Sequence, residues 1–171
     1  MRVQLGFSLP LAQALTADYF LSYSRFCVGF PQMVETLRLL RDRGLKLAIV
    51  TNASASFQKA AIQALNMEHM FDAIVISEAE DLRKPDRRIF DLTLRRLGVA
   101  QAEAVFVGDH PETDILGAQN AGMRTIWKRD DYWGPCPLAD AVIDELDELP
   151  AILDRFEASP LLDRALSSGE L

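Results

Sequence analysis

The chain has 171 residues, a formal net charge of −7, 49% hydrophobic and 25% charged residues. That balance belongs to a folded chain of about one domain and excludes intrinsic disorder. The negative charge excludes nucleic-acid binding through a broad basic surface, although a local site can still oppose the global sign.

The only cysteines, Cys27 and Cys136, lie far apart, and the only histidines are His69 and His110. No Cys/His spacing suits zinc, and the expected setting is a reducing cytoplasm. No signal peptide is read, because only Arg2 precedes an apolar stretch that Gln13, Thr16 and Asp18 soon interrupt. No run is apolar and long enough to span a membrane, so no membrane partner is expected.

In chain order, residues 2–7, RVQLGF, have the alternation of a strand with one apolar face. The following apolar and aromatic stretch to Phe30 reads as helical and as part of a second layer. Residues 31–43 form an amphipathic helix, with Pro31 in its first turn, Val34, Leu37 and Leu40 on one face, and Gly44 as its stop. LKLAIV, 45–50, is a buried-strand pattern. A helix over 54–66 is capped by Ser54 or Ser56, and FDAIVIS, 71–77, is a strand. Residues 86–98 form a helix with Asp86 as N-cap and Gly98 as stop. AVFV, 104–107, is a strand, and 114–122 a helix capped by Asp114 and stopped by Gly122. Short strands at 124–127 and 141–143 and a helix at 148–156 follow, and the tail SSGEL is expected to fray.

Alternating strands and helices predict an α/β fold, a Rossmann-like parallel sheet with helices on both faces. The expected divisions are an N-terminal helical segment over 1–29, a core over 30–157 and a tail over 158–171.

Open parallel sheets bind ligands at the carboxyl ends of their strands. Thr51 ends the first core strand, and its hydroxyl with the following backbone N–H groups suits a phosphate. Taken alone, Thr51 reads as a turn or helix-cap residue. Lys84, in RKPD, is kept out of the next helix by Pro85 and is placed to neutralise a phosphate and nearby carboxylates. Taken alone, it reads as a solvated lysine. Asp109, after Gly108 at a strand tip, and Asp114, opening a helix, can point at one cation. Magnesium takes a few carboxylates plus water and substrate phosphate. The alternative splits them into a loop acid and an N-cap. Glu112 reads as solvated, and His110 either touches substrate or faces solvent.

In order and in kind, LAIVTN, KPD and VGDHPETDILGAQNAGM resemble the second, third and fourth motifs of the haloacid dehalogenase superfamily of hydrolases, mostly phosphatases. The resemblance runs from about Phe30 to Leu153. It implies Thr51 and Asn52 as substrate-binding, Lys84 as the catalytic cation, and Asp109 and Asp114 as Mg2+ ligands. It also implies a small phosphorylated molecule as partner. A receiver domain uses similar residues in another order and does not fit.

The family's first motif, an Asp-x-Asp followed by Gly and Thr at the end of a central strand, has no counterpart before Thr51. The acids there are Asp18, followed by Tyr19 and Phe20, and Glu35 and Asp42 on a helix. The chain therefore reads as beginning inside the family's cap, without the Asp nucleophile, and as inactive alone. Losing a central strand leaves two strands with unpaired backbone groups. RVQLGF is a poor replacement, because a central parallel strand is apolar on both faces. A gap of this kind leaves room for homo-oligomers by strand exchange. The alternatives are a non-catalytic binding or assembly protein of the same fold, and a metal-free 2-haloacid dehalogenase.

Overall fold

Residues 9–23 and 26–158 are described in a computed structural model of the chain, and the expectations for 2–7 and for the SSGEL tail lie outside them. The first helix, α1, spans Leu9–Tyr23 and exposes Leu11, Leu15 and Tyr19. Its Tyr19 ring stacks on Phe57 with centroids 6.1 Å apart.

Helix α2, Met33–Asp42, buries Thr36 and Leu40, and Gly44 beyond it takes φ +80°, a conformation open to glycine. Strand β1 is Ala48–Thr51, and helix α3 is Ala55–Ala64. Ser54 holds the N-cap position of α3 without a side-chain bond, and Glu78 Oε2 accepts from the Ala55 N–H at 2.7 Å instead. Strand β2, Ala73–Ile76, ends one residue earlier than expected because Ser77–Glu80 coil into a single turn, α4.

Helix α5, Arg87–Leu97, has both expected ends. Asp86 accepts from the Arg88 N–H at 2.9 Å, and Gly98 closes the helix at φ 64°. Strand β3 is Val105–Gly108. A wide π-helical turn, Pro111–Leu116, then runs into α6, Gly117–Asn120. Strands β4, Arg124–Lys128, and β5, Ala141–Ile143, precede the last described helix, α7, Leu149–Ala158.

Asp114 is not the cap of the helix after β3. That helix starts three residues earlier, with Pro111 in its first turn. The His110 ring is the cap, its Nδ1 accepting from the N–H groups of Glu112 (3.2 Å) and Thr113 (3.3 Å). Pro111 suits this start because it has no N–H to leave unsatisfied. His110 is therefore half-buried and structurally engaged, with its ring 4.2 Å from that of Trp133.

Among the described residues every strand pair is parallel, and the sheet is in two pieces. β1 pairs with β2, and β3, β4 and β5 pair in that order. Both pieces share the same two helical layers. On one face Val50 of β1 and Phe106 of β3 pack on a core of Val75, Ile89, Phe90 and Leu94. On the other, Leu47 beside β1 and Val105 and Val107 of β3 pack on Leu40, Ile126, Leu149 and Ile152. The α/β fold with helices on both faces is thus as expected, interrupted between β1 and β3.

Candidate active site

The interruption falls where the strand order reverses, the position at which open α/β sheets bind ligands beyond the carboxyl ends of their strands. All five expected site residues lie at that end. Thr51 is the last residue of β1, and Asn52 follows it. Lys84 sits in the crossover from β2 to α5, joined to Pro85 by a cis peptide bond. Asp109 follows β3, and Asp114 lies in the turn after it.

Lys84 links the two pieces of the sheet. Asn52 accepts the Lys84 N–H on Oδ1 at 2.8 Å and donates from Nδ2 to the Lys84 carbonyl at 2.9 Å. This two-point clamp ties the Lys84 backbone to the end of β1. The side chain runs toward β3, where Nζ lies 2.7 Å from Asp114 Oδ1 and 5.4 Å from the Phe106 ring centroid. Only 11% of the Lys84 side chain and 6% of the Asp114 side chain are exposed, so this is a buried ion pair and not the surface lysine of the alternative reading. The Asn52 side chain, at a position expected to hold substrate, is engaged with the Lys84 backbone.

Asp114 is held from several sides. Its Oδ2 accepts the His110 N–H at 3.2 Å. Gly108 permits its approach, because a Cβ there would lie 2.5 Å from Asp114 Cβ and Oδ2. Oδ1 touches the Lys84 ammonium yet accepts no well-aligned hydrogen bond, so this buried carboxylate oxygen keeps acceptor capacity. Asp109 is exposed, and its backbone is fixed by Trp127, whose indole N–H donates to the Asp109 carbonyl at 2.7 Å.

Among the described residues no group of three or more His, Cys, Asp or Glu side chains is arranged to hold a metal ion. Magnesium takes one or two carboxylates plus several waters and substrate phosphate, and two aspartates at the end of β3 are donors of that kind. Asp109 and Asp114 are the residues that would hold it.

Sequence reasoning missed the roles of Asn52, His110 and Trp127, which act by holding backbone. It also missed a cleft of about 410 Å³ beside the site, lined by Asn52, Ser54, Ser77, Glu78, Asp81 and Arg83 among others. The run from Ser77 to Arg83 has no periodicity or motif that points to a site.

Parallel strands ending at a Lys–Asp pair, with a second aspartate at the tip of β3, agree with the family comparison. The model of haloacid dehalogenase-like hydrolases matches residues 16–128, and the chain belongs to this family. Over 116 residues it is 43% identical to a glyceraldehyde 3-phosphate phosphatase of Methanopyrus kandleri, covering 68% of this chain and 50% of that protein. The chain thus spans about half the length of that curated relative. A HAD phosphatase from Thermococcus onnurineus superposes with a TM-score of 0.73 at 32% identity, over 87% of this chain and 66% of that one. A 2-haloacid dehalogenase from Pseudomonas syringae superposes with a TM-score of 0.68 at 33% identity, over 88% and 65%. Among the described residues no helix is long and apolar enough to cross a membrane.

Proposed function

We propose that the residues beyond β1 and β3 bind the phosphoryl group and the magnesium of a phosphatase acting on small phosphomonoesters, and that the 171-residue chain on its own does not turn over. The buried Lys84–Asp114 pair carries this reading. An ammonium held at one point, beside a carboxylate with spare acceptor capacity, suits charge neutralisation around a phosphoryl group. The phosphatase names among the relatives support it.

In this reading Thr51 and the N–H groups after it orient the phosphoryl oxygens, and Lys84 neutralises them. Asn52 holds Lys84 in place, and Asp109 and Asp114 bind the dication, which when bound supplies further neutralisation. Covalent catalysis also needs a nucleophile. The acids before Thr51, namely Asp18, Glu35 and Asp42, are exposed on α1 and α2 and do not serve. The likeness to a 2-haloacid dehalogenase favours a second reading, in which the same lysine binds a carboxylate substrate without metal.

The test is hydrolysis of an aryl phosphate with and without Mg2+, alongside Mg2+ titration calorimetry, on the chain and on Asp109→Asn. The expected result is no turnover by either protein and Mg2+ binding that the variant loses. Mg2+-dependent turnover abolished in Asp109→Asn would show that an acid dismissed above is the nucleophile. Absence of Mg2+ binding in both proteins would remove the phosphatase reading and leave the metal-free one or a non-catalytic binding role.

A further inference from the structure

One peptide group links β4 to the buried carboxylate. We propose that Trp127 is a positioning residue for Asp114, acting through the peptide between Asp109 and His110, and that it thereby sets the two aspartates for a dication. The second part rests on the reading of Asp109 and Asp114 as magnesium ligands. The first part stands on geometry alone.

The carbonyl of Asp109 and the N–H of His110 belong to the same planar, trans peptide unit and point in opposite directions. The Trp127 indole N–H donates to that carbonyl at 2.7 Å. At the other end of the unit, the His110 N–H donates to Asp114 Oδ2 at 3.2 Å. A donor that fixes the carbonyl fixes the direction of the N–H as well. Turning the peptide over would lose both bonds at once. Trp127 is firmly seated for this task. In the β3–β4 register it lies opposite Gly108, the last residue of β3 and the one before the carbonyl it holds. It is 4% exposed and shares a small core with Ile115 and Cys136. Ile115 adjoins Asp114 in the π-helical turn and is fully buried. The indole thus meets both limbs of the loop. Its N–H holds the limb that begins at Asp109, and its ring packs with the limb that carries Asp114.

Asp114 is held by Lys84 Nζ at Oδ1 and by the His110 N–H at Oδ2. The lysine comes from the crossover after β2. The His110 bond comes from the segment that also carries Asp109, so it is the bond that ties the two aspartates to each other. Groups that orient metal ligands from behind weigh heavily on affinity, and losing one costs about 10- to 100-fold. Trp133 supplies the contrast. It packs on the His110 ring, with centroids 4.2 Å apart, and among the described residues it makes no hydrogen bond to the Asp109–His110 peptide.

The test is Trp127→Phe, which keeps an aromatic ring in the small core and removes the N–H, beside Trp133→Phe. Amide exchange is read by NMR without metal, and Mg2+ binding by calorimetry. Trp127→Phe is expected to speed exchange at His110, relative to Val75 in the same protein, by about tenfold, because a hydrogen bond to a carboxylate is lost. It is also expected to weaken Mg2+ binding by about tenfold. A loss of packing alone would speed Val75 at least as much as His110. Trp133→Phe is expected to leave both readings unchanged. If Trp127→Phe does not fold, 3-benzothienylalanine at position 127, with sulfur in place of the N–H in a ring of the same shape, gives the same two readings. An unchanged ratio of His110 to Val75 exchange, or an equal change in Trp133→Phe, would overturn the proposal. A raised ratio with unchanged Mg2+ affinity would overturn its second part. A chain that binds no Mg2+ before substitution would remove the magnesium reading itself and the second part with it, while the exchange ratio still decides the first.

Discussion

A single buried lysine joins the two pieces of the sheet. Lys84 is clamped at its backbone by Asn52 and paired at Nζ with Asp114, both charges being nearly hidden from solvent. Breaking such a pair from one side leaves a buried charge uncompensated, at a cost of about 3–5 kcal/mol. Lys84→Met is therefore expected to lower the urea midpoint by that equivalent. Adding Asp114→Asn to Lys84→Met should restore a large part of the loss, because the orphaned charge is gone. If Lys84→Met costs less than about 1 kcal/mol, as an exposed pair would, then water reaches Asp114 and the pair is not a buried one.

The elements owe their limits to local chemistry, and α5 shows it best. Asp86 caps it, and its side-chain bond to Arg88, with the Arg88 backbone N–H, lowers the Asp86 pKa from 3.8 to about 2. A carboxylate depressed in the folded state stabilises the fold above its unfolded pKa, and that contribution is lost as pH falls through the folded value. The acid limb of the stability curve between about pH 4 and pH 2 should thus be shallower in Asp86→Asn, which keeps a cap acceptor but does not titrate there. Thermal unfolding at a series of pH values reads the slope. An unchanged slope would mean that the Asp86–Arg88 contact does not persist in solution. Glu148 adds to the same limb, since the backbone N–H groups of Glu145 and Asp144 hold its pKa down.

At the scale of the whole fold, the described residues form two half-sheets that share two apolar layers, with β1 and β3 each paired on one side. Hydrogen exchange should report this directly. The amides of Val50 and Val107 are expected to exchange about tenfold or more faster than those of Val75 and Ile126, which lie in fully buried positions. Equal rates across all four would mean that the edges of β1 and β3 are covered in solution. Proteins cover or pair open edges because unpaired strand groups recruit other strands. Among the described residues, Leu11 and Leu15 on α1 are further exposed apolar side chains.

The sequence determined the alternation of strands and helices, the positions of Asp86, Gly44, Gly98 and Gly122 at element ends, and the set of residues gathered at one end of the sheet. These follow from side-chain periodicity, from capping chemistry and from the tolerance of glycine for positive φ, all local in the chain. Only the tertiary structure decided that Asn52 holds the Lys84 backbone, that the His110 ring and not Asp114 caps the helix after β3, and that Trp127 fixes Asp109 from another strand. It also decided where the sheet parts, and that the strands on either side keep common helical layers. Contacts between residues 18 to 32 positions apart, such as Trp127 with Asp109 and Asn52 with Lys84, leave no periodic trace in the chain. They exist because folding brings strand ends together, and that is a property of the sheet and not of any one segment.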